Sequence, residues 1–164
     1  MAKTFRPPLF LRLGNAIMTF LLRSGVRVNT TTLLTVRGRK SGQPRTTPVT
    51  LIKYDGQRWL IAPFGAVDWV RNLRAAGEAT LTRGRRSEHV SAVEVNAQEA
   101  APVLKQGLAI APSLVRERFD VTPESSLADF EREAPRHPVF LLKSLSEQQI
   151  THTGAPEKQE NVSL

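Results

Sequence analysis

Between Val36 and Pro48 the chain reads Val-Arg-Gly-Arg-Lys-Ser-Gly-Gln-Pro-Arg-Thr-Thr-Pro, with Arg37, Arg39, Lys40 and Arg45 within nine residues and Gly38 and Gly42 bracketing the turn. Glycines let a backbone bend sharply and bring its N–H groups against a ligand, and Arg and Lys add charge-assisted bonds to phosphate or carboxylate oxygens. The stretch therefore predicts a cradle for an anion. Lys40-Ser41 copies the end of a triphosphate-binding loop, but that loop needs glycines where Arg39 and Leu34 stand. Neither the dinucleotide fingerprint G-x-G-x-x-G nor the hydrolase elbow G-x-S-x-G occurs.

Other catalytic chemistries find little support. Without cysteine there is no thiol nucleophile or thiolate-bound metal, and His89, His137 and His152 lack the close spacing of a zinc site. Glu131 and Glu133, interleaved with Arg132, read as solvated; His89 reads as a satisfied strand residue, and His137 before Pro138 as little more. An enzyme with no evident nucleophile, metal or base can take its chemistry from a bound redox cofactor, the protein supplying binding and orientation. Such a cofactor needs an acidic handle for the turn and a flat ring for an apolar slot.

The elements that must position these residues are legible from periodicity. Polar Arg12, Asn15, Thr19 and Arg23 recur at helical spacing and leave Leu9, Leu13, Ile17, Phe20 and Leu21 apolar, predicting an amino-terminal helix within residues 1–25. Strands are expected over 31–37, 46–54, 58–62, 79–83, 88–95 and 138–143, with hairpins at Asp55-Gly56 and Gly84-Arg85-Arg86. A short helix over 66–76, stopped by Gly77, interrupts them, and Asn96 with Glu99 opens another helix running to about 108. Pro112 and Pro123 bound a further helical or irregular piece, and residues 147–164 form a polar tail. The expected fold is α+β: about six antiparallel strands in one strongly curved barrel, a single domain over residues 1–146.

Charge is unevenly shared. Residues 1–86 hold 16 Lys/Arg against 3 Asp/Glu, and the rest holds 7 against 12, within a net +8. The basic half favours an acidic ligand, nucleic acid or an anionic membrane surface. The low aromatic content, 6%, and the absence of cation–aromatic alternation argue against a nucleic-acid platform. No apolar run is long enough to span a membrane. A cytoplasmic location is expected, peripheral to the membrane if the amino-terminal helix contacts lipid or covers an apolar site.

Two blocks resemble the deazaflavin-dependent nitroreductase and quinone reductase family, whose split β-barrel is related to flavin-binding pyridoxamine-phosphate oxidases. The first is Leu34 to Arg45 followed by Pro48-Val49; the second is Ala62-Pro63-Phe64-Gly65 leading into Asp68-Trp69-Val70-Arg71-Asn72-Leu73. The resemblance implies coenzyme F420, an 8-hydroxy-5-deazaflavin, as cofactor. Arg39, Lys40 and Arg45 would hold its acidic tail, with Ser41 and the Gly42 and Gln43 backbone alongside. Thr47 and Pro48 would flank the ring, Ala62, Pro63 and Phe64 would form another wall, and Trp69 and Asn72 would stand at the helix start.

It further implies hydride transfer to an electron-poor quinone, nitro compound or activated enone, with a proton from water or a hydroxyl such as Thr47. Two departures stand out: the loop after Phe64 is short and lacks the family's tail-gripping Lys, leaving Arg71 or Arg74 to compensate, and Tyr54 is the one tyrosine. The alternatives are FMN on the same turn, or a non-catalytic barrel that carries a fatty acid or binds nucleic acid. A homodimer is expected, as in related barrels. Read without the resemblance, Trp69 is core packing and Asn72 a hydrogen-bonding partner for a neighbouring loop.

Overall fold

The computed structural model describes residues 32–146, so the expected amino-terminal helix and the polar tail lie outside the described residues. Seven strands form one antiparallel sheet: β1 (Thr32–Arg37), β2 (Pro44–Val49), β3 (Leu51–Tyr54), β4 (Gln57–Ile61), β5 (Glu78–Arg83), β6 (Arg86–Glu94) and β7 (Val139–Ser144). Their order is β2-β1-β5-β6-β7-β4-β3. The two outermost strands, β2 and β3, are separated in sequence only by Thr50. Since one residue spans under about 4 Å, the sheet must curl until its edges nearly meet, which makes it a split barrel. The single strand expected over 46–54 is therefore two strands, broken at exposed Thr50 where the chain passes from one edge to the other.

Side-chain alternation sorts the residues into two cores. Inside the barrel, Leu34 and Val36 meet Leu60, Ala79, Leu81, Val90, Ala92, Phe140 and Leu142. Helix α1 (Asp68–Ala76) adds Val70 and Leu73 to this cluster. Outside, Ile52, Trp59 and Val139 are covered by α2 (Ala97–Ile110) and α4 (Leu127–Glu133), through Val103, Leu104, Leu108 and Phe130. Helix α2 lies close on the sheet because Gly107 faces it: a Cβ there would stand 2.5 Å from Ile61 Cδ1. A short α3 (Ser113–Arg116) joins α2 to the loop before α4, and a 3₁₀ turn (Ala134–Arg136) leads into β7.

The local punctuation follows the residues. Asp55 and Gly56 both take positive φ, at 50° and 68°, as a two-residue hairpin with right-handed strand twist requires. Gly77 ends α1 at φ 69° with its N–H on the Leu73 carbonyl. The Asn96 side chain caps α2 by accepting from the Glu99 N–H. On the outer face of β1, β2, β5 and β6, hydroxyls pair across strands: Thr35 with Thr46 at 2.9 Å and Thr82 with Ser87 at 2.9 Å. Thr80 meets His89 Nδ1 at 3.1 Å, leaving His89 a satisfied surface residue. No helix among the described residues is long and apolar enough to cross a membrane.

Candidate functional site

The basic turn between β1 and β2 is closed by its own backbone. Gly38 N–H donates to the Gln43 carbonyl at 2.8 Å, and Gly42 N–H to the Gly38 carbonyl at 2.8 Å. Gly42 sits at φ 70°, and a Cβ on Gly38 would crowd Ser41 Oγ at 3.0 Å and the Gln43 carbonyl at 3.1 Å. Ser41 Oγ accepts from the Gln43 N–H at 3.3 Å. Both glycines are thus demanded by the bend itself.

This turn is pinned to the start of α1. Asn72 Oδ1, buried, accepts from the Arg39 backbone N–H at 3.2 Å and from Arg39 Nη1 at 2.8 Å. Arg39 Nη2 also pairs with Asp68 Oδ1 at 3.2 Å. Arg39 is consequently engaged within the protein, a bracket between turn and helix, and Asn72 hydrogen-bonds the neighbouring loop. Lys40 and Arg45 are exposed and have no carboxylate partner among the described residues. Asn72→Ala is expected to strand the part-buried Arg39 N–H and cost about 1–3 kcal/mol, read as a fall in the urea midpoint together with weaker ligand binding.

The second block lies between β4 and α1. Ala62 is buried, its N–H bonded to the Pro138 carbonyl at 2.9 Å. Pro63 is half-buried, and Phe64 is 42% exposed under the Arg118 guanidinium, 5.5 Å from its ring centre. Trp69 packs on the barrel core and tilts against Phe140 with ring centres 6.3 Å apart. Thr47 and Pro48 are half-buried along β2, opposite Leu34 and Leu33. Turn and second block therefore converge on the first residues of α1, while Thr47 and Pro48 sit on the edge strand leaving the turn.

Arg74 is already engaged, since Glu94 holds its guanidinium through two bonds of 2.7 Å and raises its pKa; Arg71 stays exposed. One expectation is corrected here. Glu133 is not solvated: it is 4% exposed and accepts from His137 Nε2 at 2.9 Å, from the Asp120 N–H at 3.1 Å and from Arg136. Burial pushes its carboxyl up, but Arg136, the Asp120 N–H and His137 outweigh that and hold it below the usual carboxylate range. The i, i+4 spacing of Glu133 and His137 was the one available signal for this pair. Among the described residues no cluster of His, Asp and Glu could hold a metal.

The family model for F420H(2)-dependent quinone reductase matches residues 16–120. The chain belongs to that family. It is an oxidoreductase using coenzyme F420. Comparison with curated proteins finds no match. Among solved structures, an F420-H2 dependent reductase (FDR-A) is 21% identical over 70% of this chain and 94% of its own, with a TM-score of 0.48. A domain-swapped dimer is 19% identical over 82% of this chain and 98% of its own, at 0.50. A Clostridium acetobutylicum protein of the pyridoxinephosphate oxidase family is 12% identical over 82% and 83%, at 0.47.

The turn suits the acidic tail of coenzyme F420 on its own chemistry. A rigid Gly-bounded turn presents Lys40 and Arg45 to solvent without carboxylates to neutralise them among the described residues, as an acidic tail requires. Among the described residues nothing lies within 4 Å of the position a Cβ would take on Gly42, so they leave the backbone there open to approach.

Proposed function

We propose that this reductase acts on electron-poor quinones, with the acidic tail of coenzyme F420 on Lys40, Ser41, Gly42, Gln43 and Arg45 and its ring beside Thr47, Pro48, Ala62, Pro63, Phe64 and Trp69. Arg39 and Asn72 serve the site by locking the turn to α1. When bound and reduced, the cofactor supplies a hydride to the acceptor. The protein's part is to bind the tail, fix the ring's walls and align the acceptor, since orientation at about 3–3.5 Å is where the barrier falls most. The observation that carries the reading is the pair of exposed cations on a turn hydrogen-bonded to α1 through Arg39 and Asn72.

Anaerobic mixing of the protein with reduced F420 and either a soluble quinone or a nitroaromatic tests it, following deazaflavin absorbance. Faster oxidation by the quinone is expected; turnover of the nitro compound alone would replace the substrate class, and tighter binding of FMN than of F420 would replace the cofactor site. The domain-swapped relative supports reading the protein as a homodimer.

A further inference from the structure

Residues 118–138 hold the back of the loop at 62–65. His137 Nδ1 donates to the Pro63 carbonyl at 3.0 Å, and the Pro138 carbonyl accepts the Ala62 N–H at 2.9 Å. Arg118 covers Phe64, and a Cβ on Gly65 would touch the Arg136 carbonyl at 3.4 Å. Inside the loop, backbone bonding is limited to Gly65 N–H on Ala62 and Val67 N–H on Gly65, so it does not itself orient the Pro63 carbonyl. Among the described residues His137 is the donor to that carbonyl.

The histidine is in turn held on two sides. Its ring stacks on Phe119 with centres 3.8 Å apart and planes 17° from parallel, and Nε2 faces Glu133 Oε1 at 2.9 Å. The Pro63 carbonyl can only accept, so Nδ1 is the donor there, and Nε2 is left for the Glu133 carboxylate. Arg136 engages the other carboxylate oxygen, Oε2, while the Asp120 N–H shares Oε1 with the histidine. An apolar residue would fill this space without the cost of burying charge, which leaves the orientation of Pro63 as the pair's distinct effect.

We propose that His137, oriented by Glu133, is a positioning residue of the reductase, which fixes the Pro63 carbonyl and thereby the set of the Pro63–Phe64 wall. Its consequence for catalysis rests on the reading that this loop borders the cofactor. Two variants separate the two bonds: in His137→Asn the amide nitrogen replaces Nδ1 and keeps Pro63, and in His137→Gln it reaches towards Glu133 and abandons Pro63.

In the cofactor-free protein, hydrogen exchange of the amides over 64–67 is expected to quicken about 10-fold in His137→Gln, while His137→Asn recovers most of the protection. KM for reduced F420 should follow the same order, even where the urea midpoints do not. Unchanged loop exchange in His137→Gln, or losses in both variants that merely track global stability, would overturn the proposal. If His137→Gln does not fold, His137→Leu, which fills the site with neither donor, takes its place. Faster exchange with unaltered F420 affinity would overturn the cofactor-positioning role and remove Pro63 and Phe64 from the site. Failure of the broader reading shows separately, as F420 affinity indifferent to Lys40 and Arg45.

Discussion

Replacing Lys40 and Arg45 together with alanine is expected to weaken coenzyme F420 binding by about 100-fold and to leave the unfolding midpoint unchanged. A hydrogen bond to a charged group contributes about 1.5–3 kcal/mol, and exposure places both side chains at the low end. Two such losses come to about 3 kcal/mol, or two decades in Kd. Stability is spared because neither cation has a carboxylate partner among the described residues. Salt should erode the difference, since at about 1 M the screening length shrinks to about 3 Å. Fluorescence titration of the variant beside the parent decides the matter; equal affinities would remove the tail from this turn. Arg39→Ala must behave differently, lowering stability as well as affinity, because its guanidinium is tied to Asp68 and Asn72.

That contrast marks how far the residues could be read from their order alone. The Gly-bounded basic turn was legible because glycine spacing and cation density are local. So were the Asp55-Gly56 hairpin, the Gly77 stop and the Asn96 cap, each set by the dihedral or hydrogen-bonding needs of one or two residues. What escaped depends on partners far along the chain. Arg39 resembles its neighbours in sequence, yet it meets Asp68 and Asn72, 29 and 33 positions away. The break at Thr50 follows from barrel closure, a property of the whole sheet. Helix α4 carried a local signal, the capping box of Ser126 and Asp129, within a charged stretch that hid its apolar face around Phe130. Glu133 looked solvated beside Arg132, and only the folded contacts with Asp120, Arg136 and His137 enclose it.

Glu133→Ala should be the most destabilising single change in this region, at about 3–5 kcal/mol. It leaves buried His137 Nε2 without its hydrogen-bond partner and the Asp120 N–H without its acceptor. Glu133→Gln preserves volume and one acceptor oxygen and should cost less, about 1–3 kcal/mol, because its amide nitrogen then confronts Arg136. Neither substitution leaves a group that titrates at this position, so both lose the parent's response to acid. Glu133 titrates below the ordinary carboxylate range in the folded protein. The stability it contributes is therefore complete above the unfolded value, about 4.3, and is lost as the pH falls through the lower folded value. Urea midpoints of parent and Glu133→Gln should accordingly stand well apart at neutral pH and converge in acid. A gap that stayed constant through that window would show that Glu133 acts through its shape and not through its charge, and the orientation of His137 would then need another source.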